Sequence, residues 1–121
     1  SWVCRWCGGF GAHVVWGSSP ALIVSLMEYV FFAPVFEELA FRGLLFGVFR
    51  RRFQWGVAAM LSAALFALAH GYGLIGFLSV FWSGVIWAWA YERTGSLWPG
   101  MIGHAINNLL VCLSIMALLR A

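Results

Sequence analysis

Apolar residues fill most positions from Ala21 to Leu119, and short polar or glycine-containing stretches at 50–54, 71–73 and 92–96 divide them. Ser18-Ser19-Pro20 reads as a helix start, with Ser19 as a cap and Pro20 suited to the first helical position. The segment after it runs to Phe49 and ends in Arg50-Arg51-Arg52. Pro34 lies inside this segment and predicts a kink or break, so the pattern gives two pieces, Ala21–Ala33 and Val35–Phe49. Trp55–His70 predicts a second helix, closed by Gly71-Tyr72-Gly73, and Leu74–Tyr91 a third, ending at Glu92-Arg93. After a turn at Thr94-Gly95-Ser96, Leu97–Leu119 predicts the last helix, with Pro99 in its first turn. No strand alternation and no fixed-period repeat is present. The expected fold is an all-α, polytopic membrane helix bundle of four main transmembrane helices, the first kinked at Pro34.

Composition makes the membrane assignment. Of 121 residues, 64% are apolar and 9% charged: seven Arg, four Glu, no Lys and no Asp. A soluble domain carries about 25% charged residues. The same figures exclude a disordered chain and a basic nucleic-acid-binding domain. From Phe53 to Tyr91 no charged residue occurs, a run long enough for two bilayer crossings at about 20 residues each. Alternating crossings put the 50–54 and 92–96 loops on one side, with Arg50, Arg51, Arg52 and Arg93. The positive-inside tendency makes that side cytoplasmic.

Residues 1–17 read as a leader or a truncated upstream segment, and residues 18–121 as the core domain. Gly8, Gly9, Gly11 and Gly17 interrupt any signal-peptide core. Cys4 and Cys7 have CxxC spacing without a second pair, so even with His13 as a third ligand no metal site is expected there. Cys112 reads as a small buried hydrophobe.

The candidate chemistry lies in polar groups within apolar helices: Glu37, Glu38 and Arg42, then His70, then His104, Asn107 and Asn108. A charged residue at a helix centre costs about 2.5–3.5 kcal/mol on insertion scales, so such groups face the bundle interior and mark function. Measured from the Arg-rich side, Arg42, Glu37, His70, His104 and Asn108 fall at roughly 11–22 Å depth, one slab of the bundle. His104 and Asn108 are i, i+4 and share a face, and Glu38 and Arg42 have the order that favours an ion pair. Glu37 is then left without a partner on its own helix. A carboxylate beside histidines is placed to act as a general base, and an imidazole N–H with an amide can hold an oxyanion. Together these groups describe hydrolysis of an acyl bond within the membrane. Asn107 is expected to hydrogen-bond between helices, Glu28 to snorkel or face the bundle, and Ser62, Ser79 and Ser83 to mark close packing.

The three motifs in order, Glu-Glu-x-x-x-Arg (Glu37, Glu38, Arg42), Phe-x-x-x-His (Phe66, His70) and His-x-x-x-Asn (His104, Asn108), resemble the type II CAAX prenyl endopeptidase family, the CPBP or Abi family of intramembrane proteases. Ala33-Pro34, Phe41-Arg42-Gly43 and Gly95-Ser96-Leu97-Trp98-Pro99 extend the resemblance over about residues 18–120. The resemblance implies an endopeptidase acting on a protein or peptide, isoprenylated or not. It implies that Glu37 activates water with help from His70, that His104 and Asn108 stabilise the oxyanion, and that Glu38 with Arg42 organises the site. Members usually have further helices upstream. No cofactor is expected. The rival is zinc held by Glu37, His70 and His104, a His₂Glu set without the usual His-Glu-x-x-His helix. A second reading is a catalytically silent member serving in bacteriocin self-immunity or as a membrane scaffold. Membrane lipids are expected partners and nucleic acid is not; oligomeric state is not legible.

Overall fold

The computed structural model describes residues 19–120 of the chain, so the expectations for Cys4, Cys7 and His13 fall outside the described residues. Four helical rods make up this part. The first, α1, is continuous: Ser19–Met27 leads into a π-helical stretch Glu28–Phe32, then Ala33–Glu38, a second π-helical stretch Leu39–Phe46, and Gly47–Arg50. It is followed by α2 (Trp55–His70), α3 (Leu74–Thr94) and α4 (Trp98–Arg120). Among the described residues there is no strand. The fold is an all-α membrane helix bundle. Two helices, Leu74–Thr94 and Trp98–Leu118, are long and apolar enough to cross a bilayer, and Trp55–His70 is shorter.

The expected break at Pro34 does not occur. Phe32 and Ala33 keep right-handed helical angles, and the helix runs on through the proline. The ring has no N–H to give the preceding turn. The chain accommodates this by widening that turn: the Ala33 N–H reaches back five residues to the Glu28 carbonyl. The two expected pieces are therefore one rod.

The π stretches also set the face that α1 presents. Val30, Pro34, Glu38, Arg42 and Phe46 are all buried, at four-residue intervals. An ideal α-helix turns about 100° per residue, so such a seam would drift by roughly 40° at each step. Under-wound π turns take up the drift and keep the seam toward the bundle. On α4, Gly100, His104, Asn108 and Cys112 form a matching buried row.

Small residues let α2 approach both neighbours. Ala58, Ala59 and Ala63 are fully buried, and a Cβ placed on Gly84 of α3 would lie 3.2 Å from the Ala63 backbone. At the Arg-rich end, Phe46, Ala58, Ala59 and Ala88 form an apolar core with Phe49 and Tyr91 against it. Arg50 bridges to Glu92 at 2.9 Å, which joins the 50–54 loop to the end of α3 and puts both loops on one side, as expected. Gly71 and Gly95 close α2 and α3 in the left-handed region, each at φ 64°.

Candidate active site

Above that apolar core, the buried polar groups meet. Glu38 and Arg42 are both 0% exposed and paired, Arg42 Nη1 donating to Glu38 Oε1 at 2.9 Å. The pair is possible because π and α turns alike bring i and i+4 onto nearly one face of α1. Aromatic faces enclose the cation: the guanidinium carbon lies 4.2 Å from the Phe66 ring centroid and 5.2 Å from that of Trp87. Cation–π attraction strengthens when the cation is desolvated. Two glycines make the space. A Cβ on Gly84 would sit 2.9 Å from Arg42 Nη2, and one on Gly100 would sit 2.7 Å from Glu38 Oε2.

Glu38 Oε1 also takes the Nδ1–H of His104 at 3.1 Å. The imidazole is stacked on Trp87, with ring centroids 4.4 Å apart and planes 17° from parallel. Phe66 meets it edge-on from another side. His104 is thus held by a carboxylate and two rings, and its Nε2 faces Glu37 Oε2 at 3.4 Å. His70, in the last turn of α2, donates Nδ1–H to the Phe66 carbonyl at 2.7 Å, because a carbonyl only accepts. Its Nε2 faces the same Glu37 oxygen at 3.8 Å.

Both Nδ1 atoms are engaged as donors, so in the neutral imidazoles both Nε2 atoms are acceptors. They point at an oxygen that is itself an acceptor, and Glu37 Oε2 receives no hydrogen bond from the protein. The distances of 3.4 and 3.8 Å lie just beyond a direct hydrogen bond. The Glu37 side chain is 32% exposed and that of His70 19%, against 1% for Glu38 and 4% for His104. One carboxylate is therefore locked and dry, and its sequence neighbour, partly exposed as a side chain but with Oε2 itself buried, stands between two imidazoles.

Asn108 lies one turn beyond His104 on α4 and is buried. Its Nδ2 donates to the Tyr29 carbonyl of α1 at 2.9 Å, which leaves a second N–H on the same nitrogen. All six expected residues, Glu37, Glu38, Arg42, His70, His104 and Asn108, thus lie on the inner faces of α1, α2 and α4. Asn107 is exposed, contrary to expectation, and makes no side-chain hydrogen bond among the described residues. Glu28 is exposed as well. Ser62 donates to the Phe41 carbonyl at 2.9 Å and so ties α2 to α1.

Sequence reasoning missed Trp87, Gly84 and Gly100. Trp87 is one of eight Trp in a chain with eleven Phe, where one more aromatic residue carries no signal. The buried Arg42 guanidinium, whose Nε and Nη2 have no protein acceptor, takes Phe66 and Trp87 as flat partners. For the zinc alternative, the described residues contain no group of three or more His, Cys, Asp or Glu side chains arranged to hold a metal ion. The three side chains of the zinc alternative, Glu37, His70 and His104, face one another at 3.4 and 3.8 Å, and no step is routed through a metal.

Comparison with known proteins gives the family. The chain is 34% identical over 91 residues to the "Uncharacterized 24.3 kDa protein" of Escherichia coli, covering 72% of this chain and 42% of that protein. It is 28% identical over 78 residues to the "Putative membrane peptidase YdiL" of Bacillus subtilis (strain 168), covering 64% of this chain and 32% of that one. The chain spans less than half the length of these curated relatives. No solved structure matches it significantly. The pattern of the type II CAAX prenyl endopeptidase Rce1-like proteins matches residues 19–110, which takes in every residue of the cluster. The chain belongs to the type II CAAX prenyl endopeptidase Rce1-like family.

Proposed function

We propose that this protein is the core of an intramembrane endopeptidase that hydrolyses a peptide bond with water activated by Glu37. The observation that carries the reading is the convergence of Glu37 Oε2, an oxygen to which no protein group donates, with the Nε2 atoms of His70 and His104. Glu37 and His70 so arranged take protons. A water among them donates its hydrogens to Glu37 and His70 and turns a lone pair toward the scissile carbonyl.

The step balances simply. The water oxygen bonds to the carbonyl carbon and its proton passes to Glu37. As the C–N bond breaks, that proton goes to the leaving nitrogen. The negative charge on the carbonyl oxygen is met by the free N–H of Asn108 and by His104. For His104 to donate from Nε2 while Nδ1 serves Glu38, it has to carry both protons. Glu38 and Arg42 act through His104.

The substrate class is a protein or peptide, isoprenylated or not, met within the bilayer. The proposed location is a bacterial plasma membrane with Arg50, Arg51, Arg52 and Arg93 on the cytoplasmic side. The test is cleavage by the full chain, purified in detergent or nanodiscs, of matched prenylated and unprenylated peptides, with products read by mass spectrometry. The expected result is a single cut site whose rate falls about 10²–10³-fold in Asn108→Ala, the usual loss of one oxyanion donor. No cleavage by a well-folded protein in any lipid would favour a silent immunity or scaffold role.

A further inference from the structure

The Tyr29 carbonyl accepts Asn108 Nδ2–H at 2.9 Å. Within α1 two residues stand in register to satisfy that carbonyl: Ala33 in α-helical register, four residues on, and residue 34 in π-helical register, five residues on. The Ala33 N–H goes instead to the Glu28 carbonyl. Residue 34 is proline and has no N–H. The Tyr29 carbonyl is thereby kept for a side chain from another helix.

We propose that Pro34 is a positioning residue for the oxyanion site: by withholding an N–H from the Tyr29 carbonyl, it reserves that oxygen for Asn108 and fixes the plane of the Asn108 amide. This rests on the reading of Asn108 as an oxyanion donor. An asparagine amide is planar, so pinning one N–H also aims the second N–H and the carbonyl oxygen. Burial of Asn108, at 5% exposure, leaves the amide little water to compete for either group. Pro34 is itself fully buried, so its ring also fills space, and the test must separate that from its missing donor.

Two substitutions do so in the full-length protein in nanodiscs. Pro34→Ala restores the N–H and removes ring volume; Pro34→Val restores the N–H and keeps most of the volume. Both are expected to lower kcat by about 10–100-fold with KM within twofold and thermal stability unchanged or higher, since a proline leaves the helix interior. Combining either with Asn108→Ala adds no further loss. The Asn108 side-chain amide, read by ¹⁵N NMR and hydrogen exchange, is protected in the parent and released in both variants. An amide still protected in the variants overturns the proposal, as does recovery of kcat in Pro34→Val alone, which would make the ring's bulk the cause. Release of the amide with kcat unchanged also overturns it. If the parent protein hydrolyses nothing, the endopeptidase reading fails separately, and amide release still decides whether Pro34 orients Asn108.

Discussion

Glu38 on α1 and His104 on α4, 66 residues apart in the chain, share a hydrogen bond of 3.1 Å in the sealed part of the bundle. The bond fixes which imidazole nitrogen of His104 turns to Glu37. It also gives two adjacent glutamates different surroundings. Glu38 is paired with Arg42 and fully buried, whereas the Glu37 side chain is partly exposed.

Glu37→Gln is expected to abolish turnover and leave the fold intact. The amide keeps the shape of the side chain but cannot take a proton from water. Turnover with a saturating peptide, alongside thermal unfolding of the same preparation, checks this. Parent-like kcat in a folded variant would end the assignment of Glu37 as the base.

Arg42→Ala is expected to act on the fold first. It strands Glu38 as a buried carboxylate, and removing one member of a buried pair typically costs about 3–5 kcal/mol. It also empties the slot between Phe66 and Trp87. Membrane-inserted yield and melting temperature should both fall, and Glu38→Gln combined with Arg42→Met should recover part of the loss. A stable, fully inserted Arg42→Ala protein that is merely slow would assign Arg42 to chemistry instead.

Gly100→Ala should destabilise by about 1–3 kcal/mol, the usual range for overpacking a filled interior. The new methyl would lie 2.7 Å from Glu38 Oε2, on a carboxylate whose other oxygen is held by Arg42 and His104. Gly47→Ala is the control, because nothing lies within 4 Å of its added Cβ. That change should be neutral or stabilising by up to about 1 kcal/mol, as for glycine in a helix interior. Unfolding midpoints in one mixed micelle compare the two, and equal midpoints would contradict the tight contact with Glu38.

Chelation is expected to leave the rate unchanged, with metal far below one equivalent per chain. Elemental analysis before and after chelator treatment, with reconstitution by zinc, measures this. Stoichiometric zinc that activity requires would mean that Glu37, His70 and His104 close around an ion and that the water-activating role belongs to it.

What local order controls was readable from the residues alone. Apolar run lengths and glycine or arginine punctuation delimit Trp55–His70, Leu74–Thr94 and Trp98–Arg120 to within a few residues, because helix ends answer to neighbours in sequence. The pairing of Glu38 with Arg42, and the shared face of His104 and Asn108, follow from the helical repeat. Periodicity does not, however, say how far one helix is rotated against another. Asn107 and Asn108 differ by one residue, yet only packing turned Asn108 inward to Tyr29 and left Asn107 exposed. Likewise, the stack of Trp87 on His104, the glycine sockets at 84 and 100, and the uninterrupted α1 through Pro34 exist because four rods settled at particular rotations and spacings. Those contacts are long-range sums of packing and hydrogen bonding, which no local stretch of sequence contains.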